Sequence, residues 1–447
     1  MLNIIHIVYI FLITLFIILL IKISSIEYIY NKNYIDKIKN KINNNDGLYE
    51  YKFIKSIYFL TDENITKILD TCPKPKLIKN LFKSIIKTHM FINSNLESQD
   101  DKLQRKIIVN LLKNNLDEYY AIAKQVTEKW YNKLSKKDKK EIYFIKDISN
   151  LAYKIIGRKF LGFYNIPDDI DIEHEIHVMA KVINNKVMHP LDYYFNPYKI
   201  YNLYKIKKMV LDNSKKLILL NIDDIKKNKE CLIHKIALEQ VSDKLTFDEA
   251  LFTRRSLDLG GFFNFIAAEN IGSLISTILV EIYMKPKIKS RLLEEIDKYG
   301  YEYEDINKSE YLEALINETL RYYTFNPVNM RITNKDFDLK GGKIKSNCPV
   351  IIMNKLIHHN PKYYDNPNNF DPNNFINKKI PKHAFVPFGY GRRSCAGQYA
   401  AKIICKTMVC YIIKNCNIEI DYYPKIELDN LTTNKFDVKY KAKISRK

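Results

Sequence analysis

Thirteen residues near the C-terminal end, Phe385 to Gly397, read F-V-P-F-G-Y-G-R-R-S-C-A-G and constrain the chain more than any other stretch. They place one cysteine in a tight glycine-rich turn, behind an arginine and ahead of a helix-compatible run from Gln398 to Tyr411. A thiolate needs electrostatic help to persist as a metal ligand, and a helix N-terminus with inward-pointing backbone N–H groups supplies it. Gly391 and Gly397 stand where a side chain would block the backbone conformation or a close approach. Arg393, two residues before Cys395, is placed to pair with an acidic group on a bound cofactor.

The rest of the chain must supply a body around that loop. Its 447 residues suggest two or three domains by length alone, and 46% hydrophobic content is enough for a large core. The net charge of +21 comes with no zinc-finger spacing and no compact basic stripe, so nucleic acid is not an expected partner. A basic surface suits anionic membranes or an acidic electron-transfer partner. The seven cysteines are irregularly spaced, with no C-x-x-C pair, which fits a reducing compartment. Cys405 and Cys410 fall on the run after the loop and read as core thiols.

Ile4 to Ile21 is eighteen residues without an acid or a base, with side-chain polarity only at His6, Tyr9 and Thr14. As a helix it covers about 27 Å, close to a thin bilayer core. A cleaved signal peptide is the rival reading, but the segment lacks a basic n-region and a clear small-x-small cleavage site. Residues 1–22 are therefore expected to form a single-pass anchor, with Lys22 and the lysines after it holding residues 23–447 on the cytosolic side.

Along the body, 47–60 alternates like two short strands and Thr61-Asp62-Glu63 opens a helical run to Leu69. The pattern from Asp100 to Trp130 is helical, and Asn221 to Lys229 reads as a polar surface loop. Thr246 to Glu249 spells a T-x-x-E capping box. With no proline before Pro286, it predicts one unbroken helix of about 60 Å. Glu318 and Arg321 share a helix face at i, i+3 and can pair. His358 and His359 are adjacent, so their side chains diverge. They are expected to be an exposed pair with no metal between them.

These motifs occur in a telling order. The loop matches F-x-x-G-x-R-x-C-x-G at every fixed position, through Phe388, Gly391, Arg393, Cys395 and Gly397. Glu318 to Arg321 supplies an E-x-x-R upstream. In both respects the chain resembles the cytochrome P450 family, with further signatures in order from about residue 48. The resemblance implies one mainly α catalytic domain with small β-sheets, the cytochrome P450 fold, behind an N-terminal transmembrane helix. It implies that Cys395 is the axial ligand of haem b iron, the metal site, whose thiolate pushes electron density towards O–O cleavage. Arg393 and Arg331 would meet the haem's acidic groups, which are costly to bury unpaired. Arg105 sits where the family often places another such cation, but the tryptophan common nearby is absent, and Arg105 is expected on a solvated helix face, with the haem contact as the alternative. Glu318 and Arg321 would brace the thiolate side.

The resemblance also has gaps. The family's A-G-x-[DE]-T-[TS] falls on Ile266 to Ile271, so Glu269 supplies the acid while Asn270 replaces the threonine. A hydroxyl relays protons to the oxygen site; an amide holds water but relays poorly. The meander after His358-His-Asn-Pro361 has Asn374 where an arginine belongs, leaving either that amide or Lys378 or Lys379 to complete the cluster. No proline hinge follows the apolar N-terminal segment before Pro73.

The function implied by the resemblance is that of a monooxygenase, which uses O2 to hydroxylate or demethylate a lipophilic small molecule. No flavin- or NADPH-binding module is visible, so electrons would come from a separate cytochrome P450 reductase or other donor, with NADPH belonging to that partner. The location would be an endoplasmic-reticulum-like membrane. Asn270 keeps open a haem-thiolate isomerase or dehydratase acting on peroxides, and Asn270 with Asn374 a degenerate haem-binding protein.

Overall fold

The computed structural model describes residues 32–52, 56–75, 99–136, 138–167, 197–428, 434–437 and 439–447. The architecture is mostly helical with small sheets. The helices that position the site are α1 (Lys32–Asn43), α2 (Ile65–Thr71), α3 (Gln99–Lys113), α4 (Leu116–Tyr131), α5 (Phe144–Ile156), α6 (Arg254–Met284), α7 (Glu310–Tyr323) and α8 (Gln398–Asn415). The expected run from Asp100 to Trp130 is two helices, broken at Asn115, which is left-handed at φ 53°.

The long central helix is shorter than its sequence suggests. The capping box forms as expected, with Thr246 and Glu249 each satisfying the other's backbone N–H, but it starts only the short helix Phe247–Leu251. Thr253 then caps anew, its hydroxyl accepting from the Ser256 N–H, and α6 runs 31 residues from there. At 1.5 Å per residue that is about 46 Å. A second cap so soon after the first ended the earlier helix. The segment after Asn221 likewise contains a short helix, Ile222–Lys227, instead of a loop, with Ile225 buried as its anchor.

The α6 helix packs along α5, burying Ile275, Ile278, Leu279 and Ile282 against an apolar face that includes Ile148, Ala152 and Ile155. The two backbones approach closely at Gly272, where a Cβ would lie 2.6 Å from the Ser149 Cα. A larger residue there would force the helices apart. The α8 helix packs against α4 and crosses α6, burying both Cys405 and Cys410 in the core as expected.

A four-stranded sheet flanks this helical body, ordered β1 (Leu48–Tyr51), β2 (Ile57–Leu60), β5 (Pro349–Ile352), β4 (Asn329–Ile332). The β1–β2 and β5–β4 pairs are antiparallel and β2–β5 is parallel. Strand β3 (Lys140–Tyr143) joins a three-stranded sheet with Cys416–Glu419 and Lys441–Arg446. Among the described residues no helix is long and apolar enough to cross a membrane. The apolar segment 4–21 lies outside the described residues.

Candidate functional site

The cysteine loop joins the meander to α8. Cys395 donates its backbone N–H to the Phe388 carbonyl at 2.7 Å, and Ser394 donates to Gly391 at 3.0 Å, so the turn closes on itself. Gly391 has φ +66°, and its Cβ would meet Asp70 Oδ1 at 2.1 Å, so both backbone and space require glycine. Gly389, not singled out in the motif, is also left-handed at φ +71°. Gly397 caps α8 at φ −89°, so its backbone does not require glycine, and among the described residues a Cβ would meet Leu112 Cδ1 at 3.8 Å. No atom of the described residues crowds that Cβ.

Cys395 is the exposed thiol among seven free cysteines; the other six are buried. Yet enclosure by surrounding protein pushes its pKa up, with the Gly397 N–H and Arg105 acting the other way. The sulfur is thus reachable by solvent yet closely surrounded by protein, and a bound metal would favour its thiolate form further.

Four cations cluster beside the loop. Arg105 on α3 is half-buried and donates from Nη2 to the Ser394 carbonyl at 2.8 Å, next to Cys395, so it does not sit on a solvated helix face. Arg331 on β4 is 3% exposed and, among the described residues, donates to two carbonyls, Met330 at 2.9 Å and Leu69 at 3.4 Å. Burial and then the charge of Arg393 lower its pKa to about 10. Lys74 lies beside all of them. Its backbone is fixed where the Pro73 carbonyl accepts from Ile332 N–H, one residue past Arg331. Desolvation, then Arg331, Arg393 and Arg105, bring the Lys74 pKa down to about 8. Such a cluster fits a ligand that brings its own carboxylates. Together with the accessible thiol, these residues suit haem.

On α6, Ala268 and Glu269 are buried, at 0% and 5% exposure, whereas Asn270 is exposed. Ala267 and Asn270, at i and i+3, share the less covered stripe of the helix. Glu269 is thus no surface carboxylate, and it lies on a different face from Asn270.

Behind the loop, Glu318 and Arg321 on α7 are both fully buried. Arg321 meets the carboxylate side-on, Nε to Oε2 and Nη2 to Oε1, each at 2.7 Å. Its remaining N–H groups reach the carbonyls of His358, Pro367 and Asn369 at 2.8–3.1 Å. All five donors are used. Glu318 Oε1 also accepts the Asp371 N–H at 2.7 Å, and Asn374 Nδ2 reaches both oxygens at 3.3 and 3.4 Å. The amide therefore stands in for the missing arginine, at long distance, while Lys378 pairs with Asp365 at 2.7 Å. Burial pushes the Glu318 carboxyl up, against the pull of Arg321.

Two site residues were not evident from the sequence. Lys74 sits between Pro73 and Pro75, and a basic residue in a proline-stiffened segment was the available signal. His358, expected at the surface, is fully buried. Its Nε2 accepts the Val386 N–H at 3.2 Å at the start of the loop, which assigns the proton to Nδ1 facing Thr324 Oγ1. Burial pushes its pKa down to about 3, so the ring stays neutral. Among the described residues no cluster of three or more potential ligands could hold a metal ion.

The family model "Cytochrome P450" matches residues 56–439. Curated relatives include probable cytochrome P450 6d4 of Drosophila melanogaster, 30% identical over 36% of the chain and 33% of that protein. Human cytochrome P450 3A5 is 32% identical over 34% of the chain and 32% of its own length. A (1S)-1-hydroxy-luvungin A synthase of Citrus sinensis is 33% identical over 27% of the chain and 25% of its own. These alignments span about a third of the relatives' lengths or less.

Proposed function

The chain belongs to the cytochrome P450 family, and from that premise we propose a membrane-anchored haem-thiolate monooxygenase acting on a lipophilic small molecule. The observation that carries this reading is the accessible thiol of Cys395 beside a cluster of cations, Lys74, Arg105, Arg331 and Arg393. Cys395 would hold the haem b iron through its thiolate. The four cations neutralise the haem's acidic groups, and Phe388, Gly391 and Gly397 shape the loop around it. When bound, haem supplies reductive activation of O2 and insertion of one oxygen atom into a C–H bond. Electrons come from a separate reductase that oxidises NADPH.

The chain's own distal residues handle protons. Asn270 holds a water through its amide oxygen and N–H groups, and the buried Glu269 is the acid that resupplies the proton. Glu318 and Arg321 act through folding on the thiolate side, not through chemistry. In this reading residues 1–22 are a single-pass anchor and 23–447 form the catalytic domain on the cytosolic face of an endoplasmic-reticulum-like membrane. The eighteen residues from Ile4 to Ile21, mostly apolar and without an acid or a base, support that location.

A second reading, an isomerase or dehydratase rearranging peroxides without O2 or reductase, is favoured by Asn270 in place of a hydroxyl. The two separate in one assay of product, peroxide and NADPH with reductase present. Under the monooxygenase reading the parent is partly uncoupled, Asn270→Thr raises product per NADPH and Glu269→Gln lowers it. Peroxide rearrangement without reductase, with coupling unchanged in both variants, would establish the second reading instead.

A further inference from the structure

Among the described residues, three hydrogen-bonded contacts tie the cysteine loop to the fold besides its covalent ends. His358 accepts the Val386 N–H at its start, and Arg105 donates to the Ser394 carbonyl at its end. The third tie holds the tip. Asp70, in the last turn of α2, accepts the Arg392 backbone N–H on Oδ1 at 2.7 Å. The Arg392 side chain folds over the same corner, with Nη2 donating to the Asp70 carbonyl at 3.3 Å and Nε 3.6 Å from Oδ1.

Gly391 lies under this contact. Its φ of +66° turns the chain, and a Cβ would stand 2.1 Å from Asp70 Oδ1 and 2.5 Å from its Cγ. The carboxylate therefore occupies the volume that any other residue at 391 would need. The Gly391–Arg392 peptide sets the direction in which Arg393 and Cys395 leave the turn. The bonds within the loop, Cys395 to Phe388 and Ser394 to Gly391, close the turn but do not orient it against the helical body.

We infer that Asp70 is a positioning residue for Cys395, which aims the thiol towards the cation cluster by holding the Arg392 N–H from α2. This rests on the reading of Cys395 as the haem ligand. The hydrogen bond matters more than the ion pair, because the side chains of Arg392 and Asp70 are 69% and 35% exposed and an exposed pair is weak. An amide oxygen at position 70 can therefore replace the carboxylate, and loss of the Arg392 side chain is tolerated because its N–H remains.

The test uses the full-length haem-loaded protein and reads two quantities. These are the share of the reduced carbon-monoxide complex with a thiolate-type spectrum and the rate of haem transfer to an apo-globin. A parent without a thiolate-type spectrum would defeat the haem-thiolate reading itself, a separate failure. With that spectrum in the parent, Asp70→Ala should lower the thiolate share and speed haem transfer by roughly two- to tenfold, the net worth of one hydrogen bond. Asp70→Asn and Arg392→Ala should stay close to the parent. Asp70→Ala matching the parent in both readouts overturns the inference, as does Asp70→Asn losing as much as Asp70→Ala. Should Asp70→Ala not fold, Asp70→Glu decides: its extra methylene moves the acceptor with the charge intact, so a parent-like thiolate share overturns the inference.

Discussion

Arg321 and Arg331 are both buried arginines on the thiolate side of the molecule, and their surroundings are opposite. Arg321 meets a carboxylate at two points and three carbonyls besides, so every donor is spent within the protein. Arg331 donates to two carbonyls, and burial together with the like charge of Arg393 lowers its pKa, with Cys72 acting the other way. An arginine whose charge is answered inside the fold is structural. One whose charge is left over among other cations is held ready for an anionic ligand. Arg321 belongs to the frame with Glu318 and Asn374, whereas Arg331 belongs to the cation cluster with Lys74, Arg105 and Arg393.

That contrast predicts opposite consequences for removing each charge. Arg321→Ala leaves Glu318 buried without its cation, and breaking such a pair costs about 3–5 kcal/mol. The expected outcome is haem-free or aggregated protein; a stable, fully loaded variant would erase the distinction. Arg331→Met, by contrast, should leave the apoprotein folded with its melting temperature unchanged or raised, because it relieves like-charge crowding. Haem affinity should fall by roughly ten- to a hundredfold, the worth of one charged hydrogen bond. Loss of apoprotein stability equal to that in Arg321→Ala would show that the two arginines do the same work.

Lys74 sharpens the comparison through pH. Its pKa in the folded protein without ligand is lowered from the ordinary 10.5 to about 8. Below pH 8 the lysine is charged in both folded and unfolded chains, and the cost of crowding it among the arginines is in force. As pH rises from 8 towards 10.5 the folded protein sheds that proton first, so the apoprotein gains stability across this window. Binding of an anionic ligand favours the charged lysine, so haem affinity should fall as pH rises above 8 and haem binding there should take up protons. Lys74→Met should flatten both effects. An affinity profile identical in the two proteins would remove Lys74 from the ligand site.

The smallest effect concerns the frame's weak corner. Burial raises the Glu318 carboxyl above its ordinary 4.5, so the folded protein holds that proton more readily than the unfolded chain. Its contribution to stability is complete below pH 4.5 and is lost as pH rises through the higher folded value. Asn374→Arg would answer the carboxylate with a second guanidinium. It should raise the melting temperature at neutral pH by a few degrees and do little in acid. Equal gains at both pH values would mean that the gain is packing and not charge.

The frame was legible because its parts are local. Glu318 and Arg321 stand one helical turn apart, and the cysteine loop is one run of consecutive residues. The sequence left a choice between Asn374 and two lysines, and only the packed meander decides it, since Lys378 is drawn to Asp365. The cation cluster was half legible. Arg331 and Arg393 follow from motif positions, but Arg105 reads as facing water until α3 is placed against Ser394. Lys74 joins the cluster through a backbone hydrogen bond to a strand more than 250 residues away, and no local pattern encodes that. His358 was misread because adjacent polar residues usually face solvent, whereas here the Val386 N–H needed a buried acceptor. The start of α6 was misplaced because a valid capping box at Thr246 obscured a second cap at Thr253.

The most direct measurement of the central claim is the spectrum of the reduced carbon-monoxide complex in the parent and in Cys395→Ser, each confirmed as folded. A thiolate-type spectrum is expected in the parent and its complete loss in the variant, with the cation cluster intact in both. A thiolate-type spectrum that survives in folded Cys395→Ser would contradict the assignment of this thiol as the iron ligand.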